Sequence, residues 1–395
     1  MSGRTWTDAE LDRLRRVADP LADGIVDEIF AEGEITAVRR LLRHLVDNDH
    51  PLLVEPGLAL PPALLAAVER YFERSDAELP TFDPAMVEAG ERVFELHGPE
   101  ILMTLCCYSL PASYTAKKGV HVLAQTKRLE SNPKRRLIET TQMVVDVMTP
   151  GGLELRGSAR THGKGIRSAQ KVRLMHAAIR RMILHADGQA WIDAYDAPIN
   201  QEDLAGTLMT FSQVVLDGLE RLGAPLTQAQ REAYLYTWRA IGSIMGVRDE
   251  VIPVDLAEAR ALTDTIRRRQ SARSDAGDVM TAALLETMQS SVPGLLRGLP
   301  ATLLRFFLRG DSRYLALPPG DWTRVIVAMI HWFTLVFDRL AGASRVSRAL
   351  YRAFNRRMIA AFMRVERGAN RPDFAIPDHL ARSWKVPDQP ASSSS

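Results

Sequence analysis

The sequence predicts an all-α fold. Apolar residues recur at spacings of three and four along most of the chain, acidic residues sit early in those stretches, and runs of period two are nearly absent. Residues 8–17 (DAELDRLRRV), 62–75 and 84–96 follow the helical period, and Asp83 stands as the N-cap of a helix whose first residue is Pro84. Residues 132–148 (NPKRRLIETTQMVVDVM) are helical in period again. Residues 166–186 hold neither Gly nor Pro and stop before Gly188, which predicts a helix of about five to six turns. Residues 201–222, 227–246, 256–270, 277–291 and 321–365 continue the pattern between Pro and Gly breaks.

One interval departs from this regularity. Residues 149–165 (TPGGLELRGSARTHGKG) carry five glycines and a proline between two strong helices. A connection of that length is usually functional or disordered. No repeat occurs at solenoid periods. The polar stretch SARSDA at 271–276 is either a boundary or a surface loop. The expected organisation is an N-terminal helical region at 1–80, a core at 81–270 and a C-terminal helical region at 271–395 that ends in the solvated tail ASSSS.

Composition excludes several classes. The 395 residues carry 50 Lys+Arg against 48 Asp+Glu, and a formal charge of +2 leaves no surplus for a nucleic-acid surface. The adjacent pair Cys106 and Cys107 cannot build a disulfide framework or a four-cysteine zinc site. The longest apolar run, VIVAMIHWFTLVF at 325–337, is 13 residues, too short for a transmembrane segment and better read as a buried helix. The start MSGRTWTDAELDRLRR lacks the apolar centre of a secretory signal, so a soluble, cytoplasmic protein is expected. No H-E-x-x-H, G-x-S-x-G, Walker A loop or post-strand G-x-G-x-x-G occurs, which argues against the common hydrolase and nucleotide enzymes.

Two groups of residues could carry chemistry. In KVRLMHAAIRRMIL, Val172, Met175, Ile179 and Met182 form an apolar stripe with His176 at its edge, between Arg173 and Arg180. An imidazole that faces an apolar chamber between two guanidiniums suits an axial haem ligand, with the cations pairing the propionates. The spacing alone fits equally a boundary histidine satisfied by a backbone carbonyl. Lacking C-x-x-C-H, the chain would hold any haem non-covalently, as haem b. On the preceding helix Arg136, Glu139 and Thr140 put a cation, a carboxylate and a hydroxyl on one face, a set able to polarise oxygen or move a proton. A solvated ion pair between Arg135 and Glu139 is the plainer alternative.

Three blocks in order, RRLIETTQMVVDVMTPGGL (135–153), GIRSAQKVRLMHAAIR (165–180) and INQEDLAGTLMTFSQVVLDGLERLG (199–223), resemble the latex clearing proteins, rubber oxygenases within the wider group of MpaB-type oxygenases. The resemblance implies a globin-like helical core around one haem b, with 81–270 as the haem-binding oxygenase core. It puts His176 in the place of the proximal iron ligand, with Arg173 and Arg180 beside it, and Arg136 and Thr140 on the oxygen side. Some members have a lysine where this chain has Glu139, and the glutamate that serves others as a base has no counterpart in 109–123, so Glu139 stands as its substitute. The implied reaction is dioxygenase cleavage of a C=C bond in an isoprenoid or other apolar alkene by O₂, giving carbonyl products. A non-catalytic haem- or lipid-binding protein and oxidative cleavage of a prenyl side chain remain the alternatives. Rubber-cleaving relatives are secreted, so the start of this chain points to a smaller lipid than rubber.

Overall fold

Helix boundaries follow local chemistry. The computed structural model describes residues 3–32, 37, 38, 41, 60–125, 133–155, 162–224, 226–329, 355 and 357, without the side chains of residues 32 and 133–136. Most of the helix expected at 321–365, including 330–337 of the long apolar run, lies outside the described residues.

Helix α1 (Asp8–Leu14) begins with a capping box in which Thr7 and Glu10 satisfy each other's backbone donors. It is followed by α2 (Pro20–Glu32) and α3 (Pro62–Ala77). Asp83 caps α4 (Pro84–Thr104) by accepting from the Ala85 amide, as its place before Pro84 predicts. That helix runs past the expected end at residue 96, with non-helical dihedrals at His97 just before Pro99, and passes into a π-helical turn, Leu105–Ser109. Proline removes a donor and crowds the preceding turn, which accounts for the kink. Then come α5 (Leu110–Tyr114), α6 (Val120–Gln125), α7 (Pro133–Met148) and α8 (Lys164–Tyr195).

Helix α8 outruns its expected span, yet its regular part breaks at Gly188, whose φ of 52° is readily accessible only to glycine. The stretch expected at 201–222 divides at Ser212 into α9 (Gln201–Phe211) and α10 (Gln213–Leu222). The remaining helices are α11 (Gln228–Ile244), α12 (Leu256–Gln270), α13 (Asp275–Ser290) and α14 (Leu299–Leu308). No strand occurs among the described residues, where one isolated bridge joins Ala116 to Ser271.

The glycine-rich interval is a crossing point. A Cβ on Gly165 would come within 2.6 Å of the Val147 Cα and 2.7 Å of the Asp146 carbonyl. The end of α7 and the start of α8 therefore touch backbone to backbone, and the Gly165 amide donates to the Gly152 carbonyl at 2.8 Å. Glu91 of α4 accepts from the Gly151 amide at 3.2 Å and ties the turn to the central helices. Residues 156–161 of this interval lie outside the described residues.

Three apolar clusters fill the interior. The largest joins α1, α4, α7, α9, α10 and α11. A second packs α2 and α3 against Leu174, Met175, Ala177 and Ala178 of α8. The third joins the π-turn, α5, α13 and α14. Helix α8 thus has one flank on the N-terminal helices and another toward the centre. No described helix is long and apolar enough to cross a membrane.

Candidate functional site

A cavity of about 360 Å³ lies where the π-turn, α5, α6, α7, α8, α9 and α12 converge. Its size falls in the range of small-molecule sites. Leu102, Leu105, Val122, Leu137, Val144, Ile179, Met209 and Phe211 make much of the wall apolar. A π-turn widens the helix by one residue per turn and is often found at functional sites. Here it presents Leu105, Cys106, Tyr108 and Ser109 to the cavity. The described residues hold no cluster of His, Cys, Asp and Glu able to bind a metal ion by themselves.

His176 is half-buried on this wall, one helical turn before Ile179. Its flanking arginines are not among the wall residues. On an α-helix Arg173 and Arg180 lie about 40–60° to one side of His176, and Val172 and Ile179 about as far to the other. The arginine side faces α2 and α3. Arg173 is buried and makes a two-pronged pair with Asp19, Nε to Oδ2 at 2.6 Å and Nη2 to Oδ1 at 2.8 Å, plus longer contacts of 3.3 Å to Glu78. Burial works against its charge, but the Asp19 carboxylate more than offsets this and raises its pKa. The Arg173 guanidinium thus engages the N-terminal helices, where the expectation for this residue is a contact with a haem propionate.

Arg180 differs. Its Nε donates to Asp23 at 2.8 Å and its Nη1 to the carbonyl of Ile199, a wall residue, at 3.2 Å. Its Nη2 is buried without a hydrogen bond. Arg167 and Arg181 of α8 likewise meet Asp76 and Asp27, at 2.7 and 2.8 Å. This flank of α8 is a row of arginines paired to acids of α2 and α3.

On α7 the wall residues are Leu137, Thr140, Thr141 and Val144, a stripe of helical period. Thr140 is therefore where the sequence places it. Glu139 is not among the wall residues, because one helical step turns it about 100° from Thr140. The side chain of Arg136 lies outside the described residues. Thr141, which sequence reasoning passed over, is on the wall and its hydroxyl donates to the Leu137 carbonyl at 2.7 Å.

The first turn of α9 supplies the strongest polar part of the wall. Asn200 caps α9 by accepting from the Asp203 amide at 3.0 Å, so Glu202 and Asp203 are the helix-start acids their sequence position suggests. Tertiary packing gives them more to do. Glu202 is fully buried and accepts from Arg15 at 3.0 Å, Arg269 at 2.8 Å and Gln270 at 2.9 Å. Asp203 accepts from Arg15 at 3.0 Å and from Asn200 at 2.9 Å, while burial raises its pKa. Glu202, Asp203 and Gln270 all lie on the wall.

Seven hydroxyls of the wall share a direction. Ser109, Ser113, Thr115, Thr141, Thr207, Thr210 and Thr263 each donate their proton to a backbone carbonyl at 2.6–2.8 Å. Their oxygens are left as acceptors. Arg267, the arginine of the wall, is paired to Asp264 at 2.8 Å and lies 3.8 Å from Asp311.

Residues 100–311 match the family described as ER-bound oxygenase mpaB/B'/Rubber oxygenase, catalytic domain. The chain is 25% identical over 308 residues to the rubber oxygenase of Streptomyces sp. (strain K30), an alignment covering 75% of this chain and 69% of that protein. The fold is similar to that of a solved latex clearing protein in its closed state, with a TM-score of 0.63 and 23% identity over 92% of this chain and 95% of that one. The matched 100–311 segment contains every wall residue described above, from Leu102 to Asp311.

Proposed function

Because the chain belongs to the family of MpaB-type and rubber oxygenase catalytic domains, we propose that it is a haem b-dependent dioxygenase cleaving a C=C bond of an isoprenoid or other apolar alkene to carbonyl products. The observation that carries this reading is His176 on the wall of a largely apolar cavity inside the family's domain. The residues fit haem b. The imidazole is a suitable iron ligand, the apolar walls suit a porphyrin, and Arg180 keeps one buried, unspent donor beside the wall residue Ile199 for a propionate. Haem b would supply the activation of dioxygen.

The chain's own residues supply position. Leu137, Val144, Ile179 and Phe211 exclude water and align an extended apolar chain. Thr140 Oγ1 offers a hydroxyl on the same face of α7 as Val144, and in this reading it donates to the reacting oxygen with Arg136 as its partner. Arg173 acts only through α8, holding the helix that carries His176 against Asp19.

An absorption spectrum of the purified protein, oxidised and then reduced under carbon monoxide, tests the cofactor. His176→Ala should lose most of the Soret band and keep its helical circular dichroism. Full haem occupancy in that variant would sink the ligand assignment. Incubation with squalene or polyisoprene should yield aldehyde and ketone products. A haem-loaded protein that gives none is a binder and not an oxygenase.

A further inference from the structure

The acidic part of the cavity wall has a polarity that the cleavage of a hydrocarbon does not require. Gln270, only 6% exposed, ends α12 on the wall. Its Nε2 donates to Glu202 at 2.9 Å, and since only an N–H can face that carboxylate, the amide orientation is set. Its Oε1 is therefore the other end, buried and without a hydrogen bond. An unmatched buried carbonyl is costly unless something donates to it. Asp203 is a second acceptor on the same wall, held by Arg15 and Asn200. Near them Thr115, Thr207, Thr210 and Thr263 have spent their protons on backbone carbonyls, as Thr207 does on that of Asp203. Asp217 and Asp311 add further negative charge.

We propose that this part of the cavity recognises a neutral hydrogen-bond donor on an otherwise apolar ligand, a hydroxyl on an isoprenoid chain, with Gln270 Oε1 and the Asp203 carboxylate as the accepting atoms. A hydroxyl satisfies the orphan acceptor, whereas a carboxylate or phosphate set against Gln270 Oε1 and Asp203 meets acceptors, and Arg267 of the same wall is already paired to Asp264. The ligand class is thus an isoprenoid alcohol, in preference to a bare hydrocarbon or an anionic lipid. This deepens the oxygenase reading and rests on it for the cavity being a substrate site.

The test is a binding series on the full chain as purified, read by quenching of tryptophan fluorescence: farnesol, its methyl ether and farnesoic acid at neutral pH. The alcohol should bind about tenfold more tightly than the ether, the gain of one well-placed hydrogen bond, and the acid should bind most weakly. Gln270→Leu should bring the alcohol down to the affinity of the ether and leave the ether unchanged. Equal affinity of alcohol and ether for the unaltered chain overturns the proposal, as does tightest binding by the acid. Since Gln270→Leu also takes a donor from Glu202 and could impair folding, the ligand series on the unaltered chain decides without it. The readout does not use turnover. Alcohol preference without oxygenase products removes the oxygenase reading alone, and turnover of a hydrocarbon without alcohol preference removes this proposal alone.

Discussion

Two buried arginine–carboxylate systems flank the cavity, and they are built for different ends. Behind His176, Arg173 and Arg180 meet Asp19 and Asp23, and what they do is fasten α8 to α2. Beside the cavity, Arg15 and Arg269 meet Glu202, Asp203 and Asp196, in a shared network of which Glu202 and Asp203 lie on the wall. In both, burial disfavours the charge and the carboxylates reverse that, so the pKa values of Arg15 and Arg173 rise. The difference is redundancy. Arg173 has one buried partner and the half-exposed Glu78, whereas Arg15 has three carboxylates and Arg269 has Asp8 and Asp12 as well as Glu202. Similar chemistry makes a brace in one place and a polar wall in the other.

Removing Asp19 should have the largest effect. Asp19→Ala strands the buried Arg173, and loss of one partner from a buried pair costs about 3–5 kcal/mol, to be measured by urea unfolding. Glu202→Gln should cost less, about 1–3 kcal/mol, because each arginine keeps another acid. If Glu202→Gln proved the more damaging of the two, the contrast in redundancy would be wrong.

His97 sharpens the comparison as a buried base with no counter-charge. Burial alone lowers its pKa to about 4, the opposite of what happens to the arginines. The unfolded chain takes up a proton at this residue as pH falls through about 6.5, and the folded chain does so only near 4. Its contribution is therefore neutral above pH 6.5, destabilises progressively between about 6.5 and 4, and is constant below, amounting to about 3 kcal/mol over the window. His97→Gln should flatten that part of the stability–pH curve. An unchanged acid limb would assign the sensitivity to other groups. The smallest effect should come from Thr7→Ala, which removes an exposed capping box outside both arginine systems and should cost about 1 kcal/mol by thermal melting.

Much of the architecture was legible residue by residue. Asp83 before Pro84 and Gly188 at the break in α8 act through neighbours within a few positions, so their signals survive in a linear text. His176 and Thr140 were legible for the same reason: an apolar helical stripe predicts which side chains share its face, and both lie on the cavity wall. Glu139, three residues from Arg136, stands one helical step off the stripe of Leu137, Thr140, Thr141 and Val144.

Sequence by itself determined the all-α class, most helix limits and the helices that would carry the site, because caps, periods and steric breaks are local. The family blocks added the matched oxygenase domain. Only the tertiary structure decided the partners of the charges. Asp19 lies 154 residues from Arg173, and Arg15 lies 187 from Glu202. An arginine can pair with any carboxylate the fold brings within reach, and no local pattern says which. That choice turned Arg173 into a brace, left Arg180 with one donor in hand, and made two ordinary helix-start acids part of a cavity.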